Sequence, residues 1–318
     1  MGFHAKLPGL RGGFLGVDVF FVLSGFLITG LLLAEIGRTG EIRLGAFFVR
    51  RTIRLVPALA LMLAGFALAA PYFFPDVNLS TELALSGLFV SNISYAFSQM
   101  PDLTRHTWSL ATEMQFYLVW PLVLLVLRRL PVVTLLPVLI ALFVAATAWR
   151  IVQFDVEGWT RAYNAPDTRL SGFLLGAVAA TLPARFPRPL GMAALALGAV
   201  LLGYALASSR FTWPIAMNLT ISVAEIGTFL MIVALREPDS LGARLLGARP
   251  LVLLGTWSYG IYLWHYPIAR WMEQTYDTAP FEFAATLALA TALAALSYTL
   301  VEEPLRRWWR ERAVPSPA

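Results

Sequence analysis

The sequence predicts an all-α fold, a polytopic helical bundle in a membrane with about nine transmembrane helices. Of its 318 residues, 58% are apolar and only 14% are charged, whereas roughly 25% of the residues in an ordinary soluble domain are charged. The mean hydropathy is positive. Apolar runs close to the roughly 20 residues that cross a bilayer recur from residue 14 to residue 301.

Nine segments are predicted to cross the membrane. Two of them, 114–127 and 170–182, are shorter than a full crossing and must recruit polar flanking residues. In chain order, the predicted helices cover residues 14–35, 46–70, 114–127, 132–149, 170–182, 190–207, 213–235, 251–270 and 283–301.

A tenth apolar stretch, 82–97, contains several Ser and Asn residues and is predicted to be re-entrant or peripheral. If it does not cross and the N-terminus lies outside, 16 of the 24 basic residues face the cytoplasm, as the positive-inside rule requires. If it crosses, the arginines within 128–129 and 185–188 turn outward, against that rule. The chain is therefore predicted to begin outside and to end in the cytoplasm.

The composition excludes several kinds of chemistry. The chain has no Cys, and therefore neither a disulfide nor a thiol nucleophile, and its three His residues cannot supply an all-His metal site with ligands to spare. We therefore predict no metal site and no permanently bound cofactor. Basic residues outnumber acidic ones by 24 to 19, but their distribution follows the predicted topology, so we predict no nucleic-acid partner.

One acidic residue, Asp18, lies near the start of the apolar segment 13–30. Because a charge in hydrocarbon is costly, an ionisable residue within a span is a functional candidate; the alternative is a boundary residue at the level of the lipid headgroups. The residues around it, GVDVFFVLSGFLITG at 16–30, resemble the second-helix signature of the acyltransferase 3 family. These proteins are polytopic membrane O-acyltransferases of the type that acetylate bacterial surface polysaccharides.

Further motifs resemble the family in the same order along the chain. No single motif identifies a protein, but together they cover nearly all of this one. The resemblance therefore predicts a single acyltransferase-like transmembrane domain over residues 1–318, without a soluble SGNH domain. The motifs are FFVRRTIRLVPAL at 47–59, WSLATEMQFYLVWPL at 108–122, PDTRLSGFLLGAVAA at 166–180, LGTWSYGIYLWHYPI at 254–268 and SYTLVEEPLRR at 297–307.

The resemblance implies that His4 is the catalytic base. Family members begin with one more helix, which carries an Arg and then a His, and His4 falls where that His is expected. Imidazole titrates near neutrality, so it can take the proton of an acceptor hydroxyl that attacks a thioester. The alternative for a His near a terminus is a solvated bystander. We also expect that most of the family's first helix is missing, through a wrongly chosen start or a true truncation.

Arg50, Arg51 and Arg54 are predicted to bind the phosphates of acyl-CoA. Arg50 and Arg54 lie one helical turn apart on one face, and guanidinium groups bind phosphate bidentately. The alternative is that these arginines only anchor the cytoplasmic end of the helix. The family's Arg-rich element also ends in a Pro, here Pro57, and this resemblance favours the donor-binding role.

Two acidic residues near helix starts are further candidates. Glu113 is predicted to orient or polarise the base, or to bind the acceptor sugar; its alternative role is a structural carboxylate near a helix N-terminus. Asp167 and Arg169 are predicted, with Asp18, to line the acceptor site. Their alternative is to pair with each other or with lipid headgroups.

The motif at 254–268 supplies the last candidates, Tyr262 and His265. His265 is predicted to contact the donor or to share in proton transfer, and the alternative is a buried, hydrogen-bonded structural His. Pro267 lies two residues later and would open the helical backbone near it. The remaining His, His106, is predicted to lie at the surface.

Taken together, the resemblance predicts a membrane O-acyltransferase in a bacterial inner membrane. It would pass an acyl group, most simply acetyl, from acyl-CoA to a hydroxyl of a cell-surface or lipid-linked carbohydrate, with membrane lipid as its surroundings. Two alternatives remain open. One is a permease or flippase for a small solute or glycan, against which no matching pair of broken helices is present. The other is an inactive, truncated family member.

Overall fold

The computed structural model describes Phe3 and residues 11–183, 186–237, 240–276 and 278–313, and every regular element in these ranges is a helix. The predicted all-α fold is therefore confirmed. His4 lies outside the described residues. The α-helices are α1 (Gly16–Thr39), α2 (Leu44–Phe73), α3 (Leu79–Gly87), α4 (Ser91–Ser98), α5 (Trp108–Leu127), α6 (Val132–Glu157), α7 (Trp159–Asn164), α8 (Leu170–Thr181), α9 (Arg188–Ser208), α10 (Ile221–Leu235), α11 (Leu241–Leu246), α12 (Arg249–Thr275), α13 (Ala279–Ser297) and α14 (Glu303–Ala313).

Seven helical stretches within the described ranges are long and apolar enough to cross a membrane. Each corresponds to one of the nine predicted segments. The prediction for 114–127 was short because the helix begins in polar sequence at Arg105 and recruits that flank. The stretches are Arg11–Thr39, Leu44–Phe73, Arg105–Leu127, Val133–Glu157, Arg188–Ser208, Ala216–Leu235 and Ala279–Arg312.

The other two predicted segments differ from these seven. α12, with 27 residues, is about 40 Å long and could cross, but it is less apolar than the seven. α8 has only 12 residues, about 18 Å at 1.5 Å per residue, which is less than the roughly 30 Å of hydrocarbon. Its residues from Ser171 to Ala179 are all buried. α8 is therefore a core helix enclosed by protein, and by itself it is shorter than the hydrocarbon.

The segment predicted to be re-entrant or peripheral forms α3 and α4, of nine and eight residues. Each is too short to cross a bilayer. The chain breaks between them at Phe89, whose φ is 56°. Buried Glu82 accepts hydrogen bonds from the backbone N–H groups of Asp102 (2.7 Å) and Thr104 (2.8 Å). This carboxylate thus fixes the loop that leads into α5.

Close packing of α1 against α8 depends on glycine. A Cβ atom at Gly25 would collide with the carbonyl group of Phe173, and one at Gly176 with that of Val22. The backbones can approach this closely only because both positions lack a side chain. Gly176 therefore marks the face of α8 that contacts α1.

Two ion pairs are buried where α1, α6, α8 and α10 meet. Asp18 accepts a charged hydrogen bond from Arg169, and both side chains are 1% exposed. Arg150 lies 3.4 Å from Glu225, with side chains 0% and 2% exposed. Asp18 is therefore enclosed by protein rather than facing the surroundings. A buried carboxylate needs an opposite charge beside it, because an uncompensated charge inside the protein would destabilise the fold far more.

We expect Asp18→Asn to destabilise the protein by about 3–5 kcal/mol, because it leaves the Arg169 guanidinium buried without its partner. Asp167→Asn is the control, since the Asp167 side chain is 42% exposed and its loss should cost about 1 kcal/mol or less. Denaturation in detergent micelles measures both. Equal losses of stability in the two variants would contradict the assignment.

Candidate active site

A cavity of about 510 Å³ opens between the end of α1, the start of α2 and the last helix, α14. Four arginines and a single acidic residue, Glu35, contribute to its wall, so the cavity is strongly positive. Such a volume lies within the range usual for small-molecule sites. The lining residues are Leu31, Leu32, Glu35, Arg38, Thr39, Arg43, Ala46, Phe47, Arg50, Arg51 and Trp309.

Glu35 organises the cavity wall. Its carboxylate accepts a hydrogen bond from the backbone N–H of Arg43 (3.3 Å) and pairs with the Arg50 guanidinium at 3.6 Å. The end of α1 is thereby tied to the start of α2 across the turn at Gly40, whose φ is 74°. Arg128 also donates a hydrogen bond to the Gly40 carbonyl. Arg43 and Arg50 are therefore held on the same side of the cavity by one carboxylate.

The three predicted donor-binding arginines take different positions. Arg50 and Arg51 line the cavity, whereas Arg54, one turn further along α2, is exposed and is not among the lining residues. The Arg51 guanidinium lies 5.6 Å from the centre of the Phe47 ring and 5.5 Å from that of Tyr117. Both are cation–π distances. Arg51 thus connects the cavity to α5.

Glu113 is buried and held by two hydroxyl groups. Its Oε1 accepts a hydrogen bond from Ser24 of α1 (2.7 Å) and another from Tyr117, one turn further along α5. The hydroxyl groups of Ser24 and Tyr117 also lie 2.8 Å apart. This carboxylate is not a cap exposed at a helix start, since it is 2% exposed. It belongs to a buried network that joins α1 to α5.

Tyr262 joins the same face of α5 from α12. Its hydroxyl oxygen lies 2.6 Å from Ser109 Oγ, and it donates a hydrogen bond to the carbonyl oxygen of His106 (2.5 Å). Ser109, Glu113 and Tyr117 follow one another at four-residue spacing, which aligns them along one face of the helix. That face therefore carries a row of hydroxyl and carboxyl groups.

His265 and His106 lie together beside this row. His265 Nδ1 is 2.5 Å from the carbonyl oxygen of Tyr262, and the centres of the two imidazole rings are 5.6 Å apart. His106 is 5% exposed, stacks on Tyr266 at 5.1 Å, and has its Nε2 2.9 Å from the Leu263 carbonyl oxygen. The prediction of a surface position for His106 was wrong, because α12 packs over the turn that carries it.

Asp167 and Arg169 do not form a pair. Asp167 receives two hydrogen bonds from Arg161, at 2.9 and 2.8 Å, and one from Trp149 Nε1 at 2.8 Å. Partial burial opposes ionisation of Asp167, but these hydrogen bonds outweigh it and hold the pKa of the carboxyl below its ordinary value. Arg169 turns inward to Asp18 and lies over the ring of Tyr163, 4.7 Å from its centre.

A family model described as an acyltransferase domain matches residues 2–301. The chain belongs to the acyltransferase 3 family. The resemblance carried by the six motifs is thus confirmed.

Curated relatives of the family include two proteins named as O-acetyltransferases. The peptidoglycan O-acetyltransferase OatA of Listeria monocytogenes is 31% identical over 96% of this chain and 53% of its own length. The O-acetyltransferase OatA of Staphylococcus aureus is 31% identical over 96% of this chain and 54% of its own length. The chain spans about half the length of these relatives. No solved structure matches it.

Several residues of the site were missed by the sequence analysis. Tyr117 could have been found from its four-residue spacing after Glu113, which puts both on one helix face. Arg38 and Arg43 could have been counted with Arg50 and Arg51 as one basic cluster at the turn between two helices. Ser24 gave no signal, because a lone Ser in an apolar helix usually bonds to its own backbone.

We expect the cavity to bind pyrophosphate, because four arginines line a space of suitable size. Pyrophosphate should raise the melting temperature of the protein in detergent, and Arg50→Gln or Arg51→Gln should weaken its binding about tenfold each. The control is Arg188→Gln at the exposed start of α9, which should bind as tightly as the wild type. Equal binding by all three variants would contradict the assignment.

Proposed function

We propose that the protein is a membrane O-acyltransferase that passes an acyl group, most simply acetyl, from acyl-CoA to a hydroxyl of a cell-surface or lipid-linked carbohydrate. One observation carries the proposal. Arg51 lines the positive cavity and also lies over Tyr117, whose hydroxyl donates to buried Glu113. A donor held in the cavity would therefore have its phosphates next to a buried carboxylate network.

The chemistry of the cavity suits coenzyme A as the donor. Coenzyme A carries a pyrophosphate and a 3′-phosphate, and both are anions that arginine binds bidentately. Arg50 and Arg51, with Arg38 and Arg43, are the groups proposed to hold them. Arg54 is exposed on the next turn of α2; it is proposed to act on the donor by its charge rather than by lining the cavity.

The proposed reaction is a direct transfer. The acceptor hydroxyl oxygen attacks the thioester carbonyl, His4 takes the proton of that hydroxyl, and coenzyme A leaves as its thiolate, which then takes up a proton. The role of His4 rests on the family resemblance. Glu113 is proposed to orient or polarise this base. No protein nucleophile is needed, in keeping with a chain that has no Cys. The surrounding helices would exclude water, which competes for the thioester.

A carbohydrate acceptor is supported by the relatives, one of which is named as a peptidoglycan O-acetyltransferase. Tyr262 and His265 are proposed to line the substrate site, since Tyr262 is hydrogen-bonded to Ser109, one turn before Glu113; His265 is proposed to contact the donor or to share in proton transfer. Asp18, Asp167 and Arg169 remain proposed acceptor residues. Each is engaged by a protein partner, so their effect on the acceptor would be exerted mainly through the position of α8.

The permease alternative is less well supported. A proton-coupled carrier needs an ionisable group that can release its counter-charge, whereas Asp18 is paired with Arg169 in a fully buried setting. We place the enzyme in a bacterial inner membrane, with the arginine cavity on the cytoplasmic side, where acyl-CoA is made. That orientation follows from the positive-inside rule.

Acetyl transfer tests the proposal directly. We expect radiolabelled acetyl-CoA to label a membrane glycan extract when the protein is present in lipid vesicles. The chain of residues 1–318 is compared with a form extended upstream in its reading frame and with the extended form carrying His4→Ala. Loss of the base should reduce the rate by about 10²-fold or more.

The outcomes separate the alternatives. Label on glycan that depends on His4 supports the acyltransferase and its base together. Transfer only by the extended form would show that residues 1–318 need the upstream segment for activity. The absence of both transfer and CoA binding in every form would overturn the proposal and favour the carrier.

A second prediction concerns the carboxylate network. Glu113→Gln should lower kcat by about 10²-fold, and Tyr117→Phe by about tenfold, since Glu113 then retains only the Ser24 hydroxyl. The KM for acetyl-CoA should change little in Glu113→Gln, because Glu113 does not line the cavity. The control is Tyr204→Phe, whose side chain is 49% exposed on α9. A change confined to KM would contradict a role in the chemical step.

A further inference from the structure

α14 contributes one aromatic side chain to the arginine cavity. Every other lining residue belongs to α1, to α2 or to the turn between them, whereas Trp309 comes from a helix more than 250 residues later in the chain. Its side chain is half-buried. The cavity therefore combines guanidinium groups from one part of the chain with an indole ring from another.

The arginines of α14 already have partners within that helix and the helical turn before it. Three of its four arginines pair with glutamates one or two turns earlier, and the fourth lies over an indole. What α14 adds to the cavity is therefore an aromatic surface and not further charge. The contacts are Arg306 with Glu302 (3.0 Å), Arg307 with Glu303 (2.8 Å), Arg310 with Glu303 (3.1 Å) and Arg312 over Trp308 (4.3 Å).

The position of Trp309 is fixed by a buried anchor. Glu302 is 3% exposed, accepts a hydrogen bond from Ser297 (3.2 Å) and pairs with Arg306. It thus ties the end of α13 to the first turn of α14. The next residue after Arg307 is Trp308, which is 48% exposed and is not a lining residue of the cavity. Of the two adjacent indoles, Trp309 is the one that lines the arginine cavity.

We propose that Trp309 stacks on the adenine ring of the acyl donor while the arginines hold its phosphates. A purine nucleotide is the ligand whose parts match both walls, since its phosphates are anionic and its base presents a flat π surface. Base–aromatic stacking is strong enough to affect affinity. This inference rests on the proposed acyl-CoA donor and names the part of that donor which α14 recognises.

Two donors distinguish stacking from a general effect on the enzyme. One is acetyl-CoA, and the other is S-acetyl-4′-phosphopantetheine, which has the same thioester but no adenosine. We expect Trp309→Ala to raise the KM for acetyl-CoA about tenfold or more and to leave kcat and the KM for the truncated donor unchanged. Trp309→Phe, which keeps an aromatic ring, should recover most of the affinity. Trp308→Ala is the matched control and should resemble the wild type.

The results separate this inference from the function on which it rests. A wild type that uses acetyl-CoA, with Trp309→Ala affecting both donors equally or neither, would overturn the stacking and leave the acyltransferase intact. A rise in KM with Trp308→Ala as large as that with Trp309→Ala would also overturn it, because the helix rather than the ring would then be responsible. Failure of the wild type to bind or use either donor would overturn both proposals.

Discussion

A charge enclosed by apolar helices must find its counter-charge inside the protein, and this constraint governs the centre of the molecule. Lipid tails offer no hydrogen bonds, so Asp18 and Glu225 depend on Arg169 and Arg150 for compensation. The guanidinium groups come from α6 and the start of α8, and the carboxylates from α1 and α10. These two ion pairs therefore hold the four helices in one arrangement. The short helix α8 can remain at membrane depth because these neighbours enclose it.

α1 makes polar contacts along its whole length, from one end of the bundle to the other. Asp18 stands near its start, Ser24 reaches Glu113 near its middle, and Glu35 organises the arginines at its end. Thr29 adds a fourth contact by accepting a hydrogen bond from Trp120 of α5 at 2.8 Å. The helix is apolar overall, so each of these polar groups is conspicuous and each has a partner. The candidate active site is thus built against a helix whose position the buried charges determine.

The sequence predicted the class of fold and most of the spans, because those depend on composition, length and motif. Arg50, Arg51 and Glu113 were proposed from their motifs; the two arginines line the positive cavity, and Glu113 is a buried carboxylate. The contacts that individual side chains make were predicted less well. Asp167 and Arg169 are two residues apart, yet a 3₁₀ turn directs one outward to Arg161 and the other inward to Asp18. Trp309 gave no local signal, since only the folded chain brings α14 to α1 and α2.

The glycine contact between α1 and α8 has a consequence for how the sequence can change over time. Gly25 and Gly176 lie in two motifs separated by about 150 residues, and each faces the other helix's backbone directly. Any side chain at either position would push the helices apart and pull Asp18 away from Arg169. No adjustment within one motif can compensate, because the obstacle is main chain. The two motifs are therefore constrained together. A substitution at the contact in one motif is tolerated only if the backbone of the other motif leaves room for it.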